Sequence, residues 1–233
     1  NASTGALTFV AAPNFEAPTD SGSDNVYDVT VQVADGNGGT DTQAIAITVT
    51  NANEAPVITS SAAVSVAENQ TAATTVTSAD VDGAAPTYMI SGGADAALFS
   101  IDSVTGVLTF NAAPNFESPV DAGGNNIYDV TVQVADGNGG VATQAIAITI
   151  TDVNEAPVIT SGAMVSVAEN QTAVTTVTSS DVDGAAPSYT ISGGADAALF
   201  SIDSATGVLT FNTAPNFESP GDAGGNNVYD VTV

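Results

Sequence analysis

Apolar and polar side chains alternate with a period of two along several short stretches of this chain. Val64 and Val66 flank Ser65; Tyr128, Val130, Val132 and Val134 interleave with Asp129, Thr131 and Gln133; Ile146, Ile148 and Ile150 interleave with Ala147 and Thr149. Such alternation marks strands with one face buried and one in water, because successive side chains of a strand point to opposite sides. Val76 between its threonines, Tyr88 to Ile90, Phe99 to Ile101 and Val107 to Phe110 supply further strands. Between the last two strands sits Asp136-Gly137-Asn138-Gly139-Gly140, a run that tolerates positive φ and so predicts an antiparallel hairpin. About seven short strands in about 100 residues is the pattern of a β-sandwich. No long helical period appears, although residues 94–98 have room for one turn.

The pattern recurs. Pro-Val-Ile-Thr begins at Pro56 and again at Pro157, 157 − 56 = 101 residues later, and Pro13-Asn14-Phe15-Glu16 returns at 114–117 and 215–218 with the same spacing. A fixed period defines a tandem array. Residues 1–53 then hold the later part of one repeat, 54–154 a complete repeat and 155–233 the first three-quarters of a third. Residues 1–31 are near-copies of 203–233, so the sequence is expected to be a window on a longer array.

Composition narrows the chemistry. The 233 residues include no Lys, Arg, His or Cys, and 26 carboxylates give a formal charge of −26. No side-chain salt bridge is available, and counter-charge must come from solution. Nucleic acid and anionic membrane surfaces are poor partners, since both are bound through Lys and Arg. With 43% apolar and only 11% charged residues, the chain is expected to fold rather than behave as an acidic tail. Disulfides, thiolate sites and Lys-Asn isopeptide crosslinks are ruled out, and zinc, copper and haem are poorly served without imidazole or thiolate. Oxygen-only sites rich in carboxylates suit calcium instead. No apolar run approaches the roughly 18 residues of a membrane span, so no membrane insertion is expected. No signal-peptide pattern is present, leaving the export route unmarked.

The carboxylates fall at strand ends. In the complete repeat, Glu68 follows the first strand, Asp80 and Asp82 end the second, Glu117 ends Pro-Asn-Phe-Glu, and Asp136 ends the first strand of the last hairpin. Asp152, Asn154 and Glu155 make up the linker to the next repeat, as Asn51, Asn53 and Glu54 do to this one. Strand ends of a sandwich gather at two poles. The order allows Glu68, Glu117 and the linker at one pole and Asp80, Asp82 and Asp136 at the other, with the linker binding a divalent cation between neighbours.

The strings Val66-Ala67-Glu68-Asn69, Asp80-Val81-Asp82, Phe99-Ser100-Ile101-Asp102 with Thr105-Gly106, Asn115-Phe116-Glu117, Ala135-Asp136-Gly137 and Asp152-Val153-Asn154-Glu155-Ala156-Pro157 resemble cadherin repeats. More closely, they resemble the bacterial cadherin-like tandem repeats of large secreted calcium-binding adhesins, and the resemblance covers the whole chain. It implies an all-β fold of tandem seven-stranded Greek-key, cadherin/immunoglobulin-like β-sandwiches in an elongated array, with calcium ions held between successive repeats.

Carried across, the junction before the complete repeat would use Glu16, Asn51, Asn53, Glu54, Asp80, Asp82 and Asp136. The junction after it would use Glu68, Glu117, Asp152, Asn154, Glu155, Asp181 and Asp183; Asp35 would belong to a junction upstream, and Glu169 and Glu218 to one downstream. Asn115-Phe116-Glu117 departs from the family's Asp-Arg-Glu, and Glu155 stands where Asp is common. Asn51 against Asp152 makes the two linkers unequal in charge, so they are expected to differ in their dependence on calcium.

Other readings of these residues are a solvated turn for Asp80 and Asp82, half an EF-hand loop for Asp136-Gly137-Asn138-Gly139, turn caps for Asp95 and Asp102, and an extra loop ion at Asp121 with Asn125 and Asn126. The EF-hand reading lacks helices. In function, a calcium-stiffened extracellular spacer or adhesion segment leads. Its variant is a self-assembling fibre or sheath, and its partners are calcium, neighbouring repeats, further copies of itself or cell-surface ligands. A glycan-active enzyme using paired carboxylates would have to repeat its site in every module, and a carbohydrate-binding module wants exposed aromatics where Tyr88, Phe99, Phe110, Phe116 and Tyr128 fall on expected core positions.

Overall fold

The computed structural model describes residues 4–233, in two compact units, the first running to Thr151 and the second from Asp152 to Val233. Unit one opens with the hairpin of β1 (Val26–Ala34) and β2 (Thr40–Thr48), in register from Val26 opposite Thr48 to Ala34 opposite Thr40.

A sandwich follows. Its strands are β3 (Val57–Ile58), β4 (Ala63–Ala67), β5 (Ala72–Thr75), β6 (Ser78–Ala79), β7 (Thr87–Gly92), β8 (Phe99–Ile101), β9 (Val107–Phe110), β10 (Ile127–Ala135) and β11 (Val141–Thr151). One sheet has the order β4-β11-β10-β7. The opposing layer is built from β5-β9-β8 and the short pair β3-β6. β3 and β4 are two halves of one strand that changes sheets, antiparallel to β6 in one and parallel to β11 in the other. With β5 and β6 likewise taken as one interrupted strand, the sandwich has the seven strands expected of it.

The alternation in the sequence becomes the core. Tyr128, Val130, Val132 and Val134 on β10 and Ile146, Ile148 and Ile150 on β11 turn inward against Val76, Phe99, Leu108 and Phe110 of the other layer. Phe110 meets Tyr128 edge to face at 5.2 Å between ring centres, a geometry that aromatic quadrupoles favour, and meets Phe99 at 4.5 Å with the rings tilted by 36°. Thr105-Gly106 turns β8 into β9 with Gly106 at φ 70°, where an added Cβ would strike the Val76 carbonyl. Only glycine fits there.

Unit two repeats the plan with β12 (Val158–Ile159) paired to β14 (Ser179–Ser180), and β13 (Ala173–Thr176), β16 (Val208–Phe211) and β15 (Phe200–Ile202) in one sheet. Phe200, Leu209 and Phe211 form its core. The single turn expected near 94–98 is a 3-10 helix at Ala96–Leu98, matched by Ala197–Leu199. Among the described residues there is no α-helix, and no helix long and apolar enough to cross a membrane.

Candidate metal centre

The linker of residues 51–55 is fixed to the sandwich by carboxylates at the ends of two strands. Just past β6, Asp82 accepts the Asn51 side-chain amide on Oδ1 at 2.9 Å and the Glu54 backbone N–H on Oδ2 at 2.8 Å. The Asp82 N–H in turn donates to Asp80 Oδ1 at 2.8 Å, which orients the pair. Past β10, Asp136 accepts the Asn53 amide on Oδ2 at 2.7 Å and the backbone N–H groups of Asn138 and Gly140 on Oδ1 at 2.7 and 2.9 Å. These bonds to an ionised acceptor are the short, strong kind.

Gly140 is part of the seat. A Cβ there would meet the Asp136 carboxylate, Ala55 Cα at 2.7 Å and the Glu54 carbonyl at 2.9 Å, so the hairpin and the linker touch only because that position has no side chain.

Around this linker, Glu16, Glu54 and Asp82 each bring a carboxylate oxygen to within 4.8 Å of the others. Three separate stretches of chain converge on one point. The electrostatics register the crowding: removal from water, followed by the charges of Glu16, Asp82 and Asp80, pushes the Glu54 carboxyl up from its ordinary value. Asp82 moves the other way, held down first by the Asn51 amide and then by the Glu54 N–H, and Asp136 is held down first by the Asn53 amide.

The donor set fits a calcium ion. Asp80 Oδ2 is buried with no hydrogen-bond partner, a costly state for a carboxylate oxygen that an ion would relieve. The chain has no cationic side chain to do so. Carboxylates from several segments with neighbouring carbonyls give the flexible, oxygen-only coordination that calcium accepts and that magnesium, with its strict octahedron, uses poorly.

The remaining residues of interest lie as follows. Glu68, 3% exposed at the end of β4, accepts the Phe116 N–H at 2.8 Å, tying the Asn-Phe-Glu segment that carries Glu117 to that strand end. Glu169 makes the same contact with the Phe217 N–H at 3.0 Å beside Glu218. In unit two the Glu155 N–H donates to Asp183 Oδ2 at 2.8 Å, the Asp183 N–H to Asp181 Oδ1 at 3.0 Å, and Asn154 to the Glu155 carbonyl at 2.8 Å, next to Asp152. Asp35 is exposed and binds the N–H groups of Asn37 and Gly39, which hold its pKa down.

Two minor expectations change. Asp102 does cap its turn, through the N–H groups of Val104 and Thr105. Asp95 caps nothing in its own helical turn; it reaches the Ala122 and Asp129 N–H groups at 2.6 and 2.7 Å and pins a long loop to β10. Asp121 spends its oxygens on the N–H groups of Asn125 and Asn126, a loop-ordering role that needs no ion. Sequence reasoning missed the Asp95 contact because its partners are 27 and 34 residues away.

The fold and this geometry define a class, the cadherin-like and immunoglobulin-like sandwich. Residues 53–149 match the family model described as Bacterial Ig domain, and the sandwich of β3 to β11 has a cadherin-like, immunoglobulin-like fold. No curated protein matches the chain in sequence. Among solved structures it is similar to human CDH23 EC21-23, at TM-score 0.54 and 20% identity over 83% of this chain and 66% of that one. It is also similar to a protocadherin gammaB7 EC3-6 cis-dimer, at TM-score 0.52 and 23% identity over 82% of this chain and 52% of that one. Human protocadherin-24 EC1-2 aligns at TM-score 0.51 and 21% identity over 72% and 82%. The chain spans about half the length of the protocadherin gammaB7 structure. At these identities the likeness is one of fold.

Proposed function

We propose that this chain is a calcium-rigidified extracellular segment, a structural spacer or adhesion repeat that acts without catalysis. In this reading its repeats are residues 1–53, 54–154 and 155–233, and calcium binds where one meets the next. The observation that carries the proposal is the convergence of Glu16, Glu54 and Asp82 within 4.8 Å in a chain with no Lys, Arg or His to neutralise them. Asn51, Asn53, Asp80 and Asp136 complete the first ligand set. By repeat equivalence, Glu68, Glu117, Asp152, Asn154, Glu155, Asp181 and Asp183 form the second, and Asp35, Glu169 and Glu218 serve further junctions.

When bound, calcium supplies the positive charge that lets several carboxylates share one small volume. The chain's own residues position the ligands: the Glu54 N–H orients Asp82, the Asp82 N–H orients Asp80, and the backbone of the β10–β11 loop orients Asp136. A linker tied on both sides in this way loses freedom, which is what a spacer requires. Recognition of glycans through aromatic stacking is disfavoured in the complete sandwich, where Tyr88, Phe99, Phe110 and Tyr128 are buried.

Titration calorimetry of the 233-residue chain tests the reading. Calcium is expected to bind with dissociation constants on the order of 10⁻⁴ to 10⁻³ M, the range of extracellular modules, or tighter, and magnesium far more weakly. Equal affinity for the two ions, or no heat of calcium binding, contradicts it.

A further inference from the structure

The two linkers differ at one position whose consequence is visible at a single oxygen. In the first, the Asn51 amide donates to Asp82 Oδ1 while the Glu54 N–H occupies Asp82 Oδ2. In unit two the Glu155 N–H occupies Asp183 Oδ2 in the same way, but Asp152 stands at the position of Asn51 and has no amide hydrogen to offer. Asp183 Oδ1, the counterpart of the oxygen that receives Asn51, is buried and has no hydrogen-bond partner. One substitution therefore separates a carboxylate oxygen that receives a donor from one that receives none. Leaving a buried acceptor unmade costs more than a made bond gains.

We infer that Asn51 is a positioning residue that keeps the first linker docked on Asp82 without metal, whereas Asp152 leaves the second linker dependent on a cation. The amide's partial positive charge does for Asp82 Oδ1 what a bound ion does, and Asn53 does the same for Asp136 Oδ2 at 2.7 Å. An array of such repeats would combine joints that stay closed when calcium falls with joints that open. What is said of the second linker rests on the proposed calcium reading; what is said of Asn51 does not.

Amide hydrogen exchange of the whole chain in chelator, read by NMR at Glu54 and Glu155, tests this directly. In the native chain the Glu54 amide is expected to exchange more slowly than that of Glu155. Asn51→Asp places two carboxylates face to face and should speed Glu54 exchange about tenfold or more, the worth of one charge-assisted hydrogen bond. Asp152→Asn should slow Glu155. The Val132 amide in the middle of β10 reports that the Asn51→Asp variant remains folded, and the Phe211 amide, bonded to the Thr172 carbonyl, does so for Asp152→Asn. Glu54 exchange unchanged in Asn51→Asp overturns the inference, and if that variant loses its Val132 protection, an unchanged Glu155 in Asp152→Asn overturns it instead. If Asn51→Asp speeds Glu54 in chelator but added calcium protects neither linker, the Asn51 clasp stands and the calcium reading fails.

Discussion

Glu54 and Asp82 share a hydrogen bond and titrate in opposite directions. Loss of water and then the charges of Glu16, Asp82 and Asp80 raise Glu54, while the Asn51 amide and then the Glu54 N–H lower Asp82. The signs separate two events on acidification. A group with a raised folded pKa favours its protonated form, so Glu54 takes up a proton and loses its value as a ligand as pH falls through a point above the usual glutamate value of about 4.3. Asp82 and Asp136 have depressed folded values, so their contribution is present above the unfolded pKa and is lost only as pH falls through those lower folded values. Acidification from neutral toward the ordinary carboxylate range should therefore weaken calcium binding while the first linker stays docked. Calorimetry at neutral and at acid pH, paired with amide exchange at Glu54, checks this; calcium binding and Glu54 protection lost together would contradict it.

At the scale of the element, the same residues meet different surroundings. Leu108 on β9 is 0% exposed between the two layers of the sandwich, while Leu7, 101 positions earlier in an almost identical string, is 49% exposed. Val134 and Val33 differ likewise, at 0% and 67%. Burial here belongs to the partner strands and not to the local sequence, since Leu108 packs in the core that the inward faces of β10 and β11 complete. Leu108→Ala should destabilise the sandwich by about 2–5 kcal/mol through lost burial and the cavity left behind. Leu7→Ala should cost well under half of that. Chemical denaturation of the two variants measures the difference, and equal losses would contradict the assignment of the core.

This contrast also marks what the sequence makes legible. Alternation on β10 and β11 predicted the inward and outward faces residue by residue, and Asp-Gly-Asn-Gly-Gly placed the hairpin, because both are local properties. The change of sheet between β3 and β4 was not readable: the alternation from Val64 to Val66 marks β4, and only the pairing of β3 with β6 and of β4 with β11 shows that the two lie in different sheets. The candidate site was legible as carboxylates at strand ends. The direction of the Asn51 and Asn53 amides was not, because the sequence names an amide without saying whether its oxygen or its nitrogen faces the carboxylate.

For the whole molecule the governing quantity is charge. A formal −26 with no cation in the chain makes every close approach of carboxylates an expense met by backbone N–H groups, by amides such as Asn51, or by ions from solution. Around Glu16, Glu54 and Asp82 the first two fall short, as the raised Glu54 and the unpartnered Asp80 Oδ2 both record. The measurement that tests this account most directly is a crystal structure of the chain grown in saturating calcium, with anomalous scattering used to locate the ion. The account predicts an anomalous peak with oxygens of Glu16, Glu54 and Asp82 at about 2.3–2.6 Å. Well-ordered density for those three carboxylates with no peak among them would contradict it.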